Sequence, residues 1–216
     1  MAIEKRSQLI LPFDQYQRYR IVTDIINKFR KTNKKFDILE VGAGTEENLK
    51  KFLPFDEIYF MDKYSPEYKK KNNYIDGDIT IIELTKRFDF VVSLDTYEHI
   101  LPDLRELYIN RLINISKICT IIAAPFDTVG VKESETLLNE AYKSIYGRDN
   151  FWLSEHIKNT LPSLSYTLEL IKKLKLSCTV IPSGFLQRWF EMMSVCFLTE
   201  GKPEFKNIME DLFEFY

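Results

Sequence analysis

The chain of 216 residues holds only two histidines, and both stand in the same tripeptide: Glu98-His99-Ile100 and Glu155-His156-Ile157. Imidazole is the side chain whose unperturbed titration falls near neutrality, so His99 and His156 are candidate general bases for an acceptor hydroxyl. Asp95, at the end of an apolar run, is the third candidate catalytic residue. The two tripeptides converge over one site if the chain folds them together; histidines that merely satisfy structural hydrogen bonds account for them equally well. A site of two His and two Glu is chemically able to bind a metal. The distant positions offer no ligand spacing, so no metal is expected.

A second chemistry is written at Phe36 to Thr45, FDILEVGAGT. The apolar run Ile38, Leu39, Val41, with the single acid Glu40, leads into Gly42-Ala43-Gly44. Strands buried on both faces have this composition, and glycines at their carboxyl ends let a ligand approach the backbone. Glu46 to Leu53 then reads as a helix. Strand, glycine turn and helix form the first unit of a nucleotide-binding α/β sheet, with the ligand outside the strand ends. A dinucleotide fingerprint needs a small residue at position 47, and Glu47 stands there. An NAD(P)-dependent oxidoreductase or epimerase is therefore the weaker alternative. Asp62, 18 residues after Gly44 and directly after the strand Glu57 to Met61, is placed to accept hydrogen bonds from two ribose hydroxyls.

The remaining pattern supplies elements to position these groups. Residues 13 to 30 read as an amphipathic helix, with Tyr19, Val22, Ile25, Ile26 and Phe29 at helical spacing. Phe88 to Leu94 and Ile118 to Ala123 read as buried strands flanking a helix over 103 to 116. Residues 128 to 165 break the alternation with a helix over 133 to 146, a turn at 147 to 150 and a further apolar segment. An insertion after the fifth strand lies above the strand ends and is a natural lid over an acceptor. Helix 165 to 175, a sixth strand over 177 to 181 and an aromatic helical segment over 185 to 198 complete the chain. Lys63 to Lys71 reads as a polar loop.

Composition sets bounds. The length suffices for one α/β domain with a sizeable core. Hydrophobic residues make up 45% and charged residues 29%, with a formal net charge of −2, so no basic surplus marks a nucleic-acid surface. Cys119, Cys178 and Cys196 lie far apart in apolar contexts, as expected of reduced, buried thiols in a cytoplasmic protein. No stretch is apolar enough to span a membrane. The acceptor partner is then a small molecule or saccharide; the oligomeric state stays open, with 185–198 a possible docking segment.

The pattern apolar-apolar-Glu-apolar-Gly-x-Gly at 38 to 44 resembles motif I of class I S-adenosylmethionine-dependent methyltransferases, although Glu46 stands where that family often has a third glycine. Tyr74-Ile75-Asp76-Gly77-Asp78-Ile79 resembles motif III, and the strand ending followed by Glu98-His99 resembles the motif IV region of the methyltransferase type 11 family. Leu153-Ser154-Glu155-His156-Ile157, Leu161-Pro162 and Ala124-Pro125-Phe126 resemble a bacterial branch associated with making cell-surface glycans. The likeness spans roughly residues 13 to 195. It implies a doubly wound, mostly parallel Rossmann-like sheet forming one domain over 1–216, with a helical insertion after the fifth strand. It implies S-adenosyl-L-methionine as cofactor, held by Glu40, Gly42, Gly44, Asp62, Lys63, Asp78, Ile79, Leu94 and Asp95, with Arg20 or Tyr19 of the first helix on the methionyl carboxylate.

No Asn/Asp-Pro-Pro-Tyr/Phe tetrad and no Pro-Cys nucleophile follow the fourth strand, which disfavours nucleic-acid bases as acceptors. What remains favours a hydroxyl oxygen, or a small-molecule amine or carboxylate, and Phe151 and Trp152 are candidates to stack on a sugar face. A different class also fits: a cofactor-binding or scaffolding module without turnover, motivated by Glu46 and by the apolar segment 185–198.

Overall fold

The computed structural model describes residues 11–63, 73–202 and 205. Helix α1 (Phe13–Lys28) precedes β1 (Asp37–Val41), α2 (Asn48–Phe52), β2 (Glu57–Asp62), β3 (Tyr74–Asp76) and β4 (Phe88–Leu94). Two 3₁₀ turns, Tyr97–His99 and Pro102–Leu104, lead to α3 (Arg105–Asn114) and β5 (Ser116–Ala123). Four helices follow: α4 (Val131–Tyr146), α5 (Phe151–Asn159), α6 (Leu164–Lys173) and α7 (Leu186–Leu198). The five strands form one parallel sheet in the order β3-β2-β1-β4-β5.

The two-residue period of the strands divides the core. Ile38, Ile58, Phe60, Phe90 and Val92 face one way, against Val22 and Ile26 of α1 and Leu49 of α2. Leu39, Val41, Met61 and Val91 face the other, against Tyr108, Ile109 and Leu112 of α3 and Leu170 of α6. The register places Ile38 beside both Ile58 and Phe90, so β1 is covered on both faces and paired on both edges. Helices on both sheet faces match the doubly wound architecture expected. A third cluster joins Phe13 to Leu138, Leu153, Met192 and Met193, tying α1 to α4, α5 and α7. Part of the apolar face of α7 is thus used within the chain rather than left for a partner.

Two expectations are corrected. Residues 177 to 181 form no strand: they run exposed and irregular between α6 and α7, and β5 is the sheet edge among the described residues. The β-branched run there is only a local preference; β propensity reflects packing against a neighbour, and this segment makes no ladder. Helix α2 starts at Asn48, not Glu46, because Glu47 takes a left-handed conformation with φ +50°. The cysteines also differ from expectation, since Cys178 is exposed and Cys119 and Cys196 are half-buried; all three are free. The polar loop expected over 63 to 71 lies, beyond Lys63, outside the described residues. No helix among the described residues is long and apolar enough to cross a membrane.

Glu40 points beneath the sheet's glycine turn, where it is buried and accepts a 2.7 Å hydrogen bond from Tyr19 Oη. Burial raises its pKa from 4.5 to about 7, and the Tyr19 hydroxyl offsets this only in part. The folded chain therefore binds this proton more tightly than the unfolded chain. The stability it contributes is complete below the unfolded value and is lost as pH rises through the folded one. The loss amounts to about 3 kcal/mol at alkaline pH. Glu40→Gln, which stays neutral, should melt above the wild type at about pH 8, with the gap closing toward about pH 5. Thermal melts across that range test it.

Candidate active site

Gly42, Ala43 and Gly44 leave the end of β1 at the point where the sheet order reverses, between β2 and β4. Gly42 N and Ala43 N donate to Met61 O at 2.8 and 3.2 Å. Gly42 has φ +76°, and a Cβ there would lie 2.0 Å from Thr96 Oγ1. No side chain fits, so the turns after β1 and β4 approach backbone to side chain. Gly44, at φ +58°, has nothing within 4 Å of its would-be Cβ: its backbone is bare to the cleft. Asp62 Oδ2 accepts from Gly44 N at 2.8 Å, binding the turn to the end of β2. Asp78 caps its own turn, accepting from Thr80 N at 2.8 Å and Thr80 Oγ1 at 2.7 Å, with Lys63 Nζ at 3.6 Å. Ile79 is buried beside it. These groups stand at the carboxyl ends of adjacent strands.

Across the turn, Asp95 follows β4 with φ +46°, its N–H donating to Ala123 O at 2.9 Å. Burial lifts the Asp95 carboxyl to about 6, and its ion pair with Arg18 pulls against that shift. Arg18 also holds Asp14 at 2.7 Å, so α1 is clamped across the strand ends. The resemblance implies Arg20 or Tyr19 for the cofactor carboxylate. In the structure the Tyr19 hydroxyl is committed to Glu40, while Arg20 is exposed and pairs with Asp24 at 3.4 Å. Neither is the cation at the strand ends; Arg18 is.

The two histidine tripeptides do converge. Ring centroids of His99 and His156 lie 4.8 Å apart, and Trp152 meets His99 edge-on at 5.3 Å. His99 Nδ1 lies 2.8 Å from Glu155 Oε2, and His156 Nδ1 lies 3.0 Å from Glu135 Oε1. The scaffold for this is local. Asn150 caps α5 by accepting from Trp152 N and Leu153 N at 3.1 and 3.2 Å, and its own N–H donates to Asn139 of α4 at 2.8 Å. Arg105 reaches from α3 to Ile100 O at 3.1 Å and Asn159 O at 3.3 Å, holding the end of α5 to the loop after β4. Glu98 is buried within this loop, and burial raises its carboxyl well above the ordinary value. Glu135 had no signal in the sequence, since only the packing of α4 on α5 brings it to His156.

One cleft of about 3040 Å³ is bordered by Gly42, Gly44, Leu94, Asp95, His99 and His156, with Arg18 on its rim. Phe151 and Trp152 are exposed rather than core residues.

No protein-family model and no curated protein matches this chain. Its fold does match solved structures. Magnesium protoporphyrin IX methyltransferase from Synechocystis PCC 6803, determined with bound SAH, superimposes with TM-score 0.55 at 11% identity over 83% of each chain. The YcgJ protein from Bacillus subtilis gives 0.55 at 14% identity over 88% of each chain. An O-methyltransferase family protein from Burkholderia thailandensis gives 0.53 at 9% identity, over 80% of this chain and 60% of that one. The five-stranded parallel sheet with flanking helices is the Rossmann-like fold of class I methyltransferases.

Gly42→Ala should destabilise the protein by about 2–4 kcal/mol, through left-handed strain and the collision with Thr96. Adding Thr96→Gly, which also removes the Cβ standing 2.8 Å from the added carbon, should recover the steric share and leave about 1–2 kcal/mol of backbone strain. Urea denaturation of the two single variants and the double variant measures the coupling; simple additivity would show that the contact is not the constraint.

Proposed function

We propose that the protein is an S-adenosylmethionine-dependent methyltransferase acting on the hydroxyl of a small-molecule or glycan-linked acceptor. The observation that supports this most is the grouping of Gly42, Gly44, Asp62, Asp78 and Asp95 at the carboxyl ends of strands in a class I methyltransferase fold. The adenosine would lie along the ends of β1, β2 and β3, with Asp62 on the ribose, Asp78 and Ile79 on the adenine, and the bare Gly44 backbone beneath. Arg18 is the cation placed for the methionyl carboxylate, which would exchange with Asp95 for it.

The acceptor would enter under α4 and α5, with Trp152 and Phe151 at its mouth. Methyl transfer from a sulfonium is an in-line displacement, so positioning is the main task. A hydroxyl acceptor also needs a partner for its proton, and the paired histidines offer one: Nδ1 of His156 is tied to Glu135, and its Nε2 remains for that role. The type 11 and cell-surface glycan likeness at Leu153–Ile157 supports a saccharide acceptor. A module that binds cofactor without turnover differs in one outcome, the absence of product.

Calorimetry should show binding of both S-adenosylmethionine and S-adenosylhomocysteine, with Asp62→Ala weakening each by about 1–3 kcal/mol. No heat with either ligand in the millimolar range would refute the cofactor. His156→Ala should lower turnover by about 100-fold with cofactor affinity nearly unchanged. Equal turnover in wild type, His156→Ala and His99→Ala would remove both histidines from the chemistry.

A further inference from the structure

Glu98, His99 and His156 each offer one ligand atom, and the three atoms lie within 4.8 Å of one another. Glu98 is 1% exposed, and its Oε2 has no hydrogen-bond partner among the described residues. His156 is 8% exposed, and its Nε2 is likewise unpartnered. Nδ1 of His99 is unpartnered too, and leaving three buried polar atoms without partners costs free energy at each, unless a further body satisfies them.

The surroundings say what kind of body. Glu135 Oε1 engages Nδ1 of His156 at 3.0 Å, which places the proton on Nδ1 and leaves a lone pair on Nε2. Glu155 Oε2 stands 2.8 Å from Nδ1 of His99 without forming a hydrogen bond to it, so this nitrogen stays available. A carboxylate behind the far nitrogen of His156 is the arrangement that orients a histidine toward a cation. Two imidazoles and one carboxylate suit a borderline transition metal rather than Mg²⁺ or Ca²⁺, which prefer all-oxygen sites. In a tetrahedral site the ligand atoms stand about 3.4 Å apart, so small side-chain rotations would draw these three onto one ion.

We propose that Glu98, His99 and His156 bind one divalent transition-metal ion of the Zn²⁺ type, with a coordination position open to the cleft. All three residues border the same cleft as Gly42 and Gly44, so an oxygen of the acceptor can complete the coordination. That oxygen would lose its proton more readily on the ion, releasing it to solvent water in the open cleft, while the histidine nitrogens serve as ligands rather than as the base. The role in methyl transfer rests on the function proposed above; the binding of the ion does not.

Metal binding rather than turnover therefore tests the proposal, because His156→Ala lowers turnover in either arrangement. The full-length protein is stripped with a chelator and titrated with Co²⁺ and Zn²⁺ without cofactor. One equivalent of Co²⁺ should give the intense visible absorption of a four- or five-coordinate site, and Zn²⁺ should displace it. Mg²⁺ should neither bind there nor displace Co²⁺. Glu98→Gln and His156→Ala should weaken binding strongly, and Glu135→Gln, which alters only the support of His156, by about 10–100-fold. Circular dichroism establishes that each variant is folded, and Glu98→Gln keeps the shape should His156→Ala fail to fold. No Co²⁺ spectrum, or a spectrum unchanged in Glu98→Gln and Glu135→Gln, would overturn the proposal. Failure of cofactor binding would leave this titration untouched.

Discussion

The closeness of two turns at the centre of the sheet governs the rest of the structure. Gly42 can leave β1 only because it has no side chain, and Thr96 fills the space a Cβ would need. That contact sets Gly44 with its backbone bare on one side and Asp95 and Glu98 on the other. β1 lies between β2 and β4, so the contact sits where the strand order reverses and the sheet opens a crevice.

The second feature is a concentration of buried acids at the strand ends. Glu40, Glu98 and Glu135 are almost fully buried, and burial also holds the Asp95 carboxyl up. Three of the four are answered by different partners: Tyr19 for Glu40, Arg18 for Asp95, His156 for Glu135. Glu98 Oε2 and the second carboxylate oxygen of Glu40 have no hydrogen-bond partner among the described residues. Removing carboxylates from water without pairing them is costly, so a site that keeps such groups near a cleft is organised for charge rather than for stability alone.

Much of this was legible in the sequence, and the physical reason separates what was from what was not. Strands β1, β2 and β4 announce themselves because burial on both faces demands a continuous apolar run. The glycine turn and the acids after each strand follow from short spacing. The expected strand at 177–181 failed because its β-branched residues report local preference, while a strand requires a partner edge. Tyr19 and Arg20 were assigned by their place on α1, yet helix rotation puts Tyr19 inward on Glu40 and turns Arg20 outward, leaving Arg18 to meet Asp95. The shared Glu-His-Ile tripeptide hinted that two distant segments meet. Glu135 behind His156 could not be read, because no spacing rule links residues joined only by the packing of α4 on α5.

The central claim is that a cofactor lies across the strand ends with its reactive sulfur toward the histidine cluster. A crystal structure with S-adenosylhomocysteine tests it most directly. The account predicts adenosine between Asp62 and Asp78, the homocysteine carboxylate near Arg18, and the sulfur facing Asp95 and the His99–His156 pair. Adenosine bound elsewhere, or a sulfur turned away from the two histidines, would contradict it.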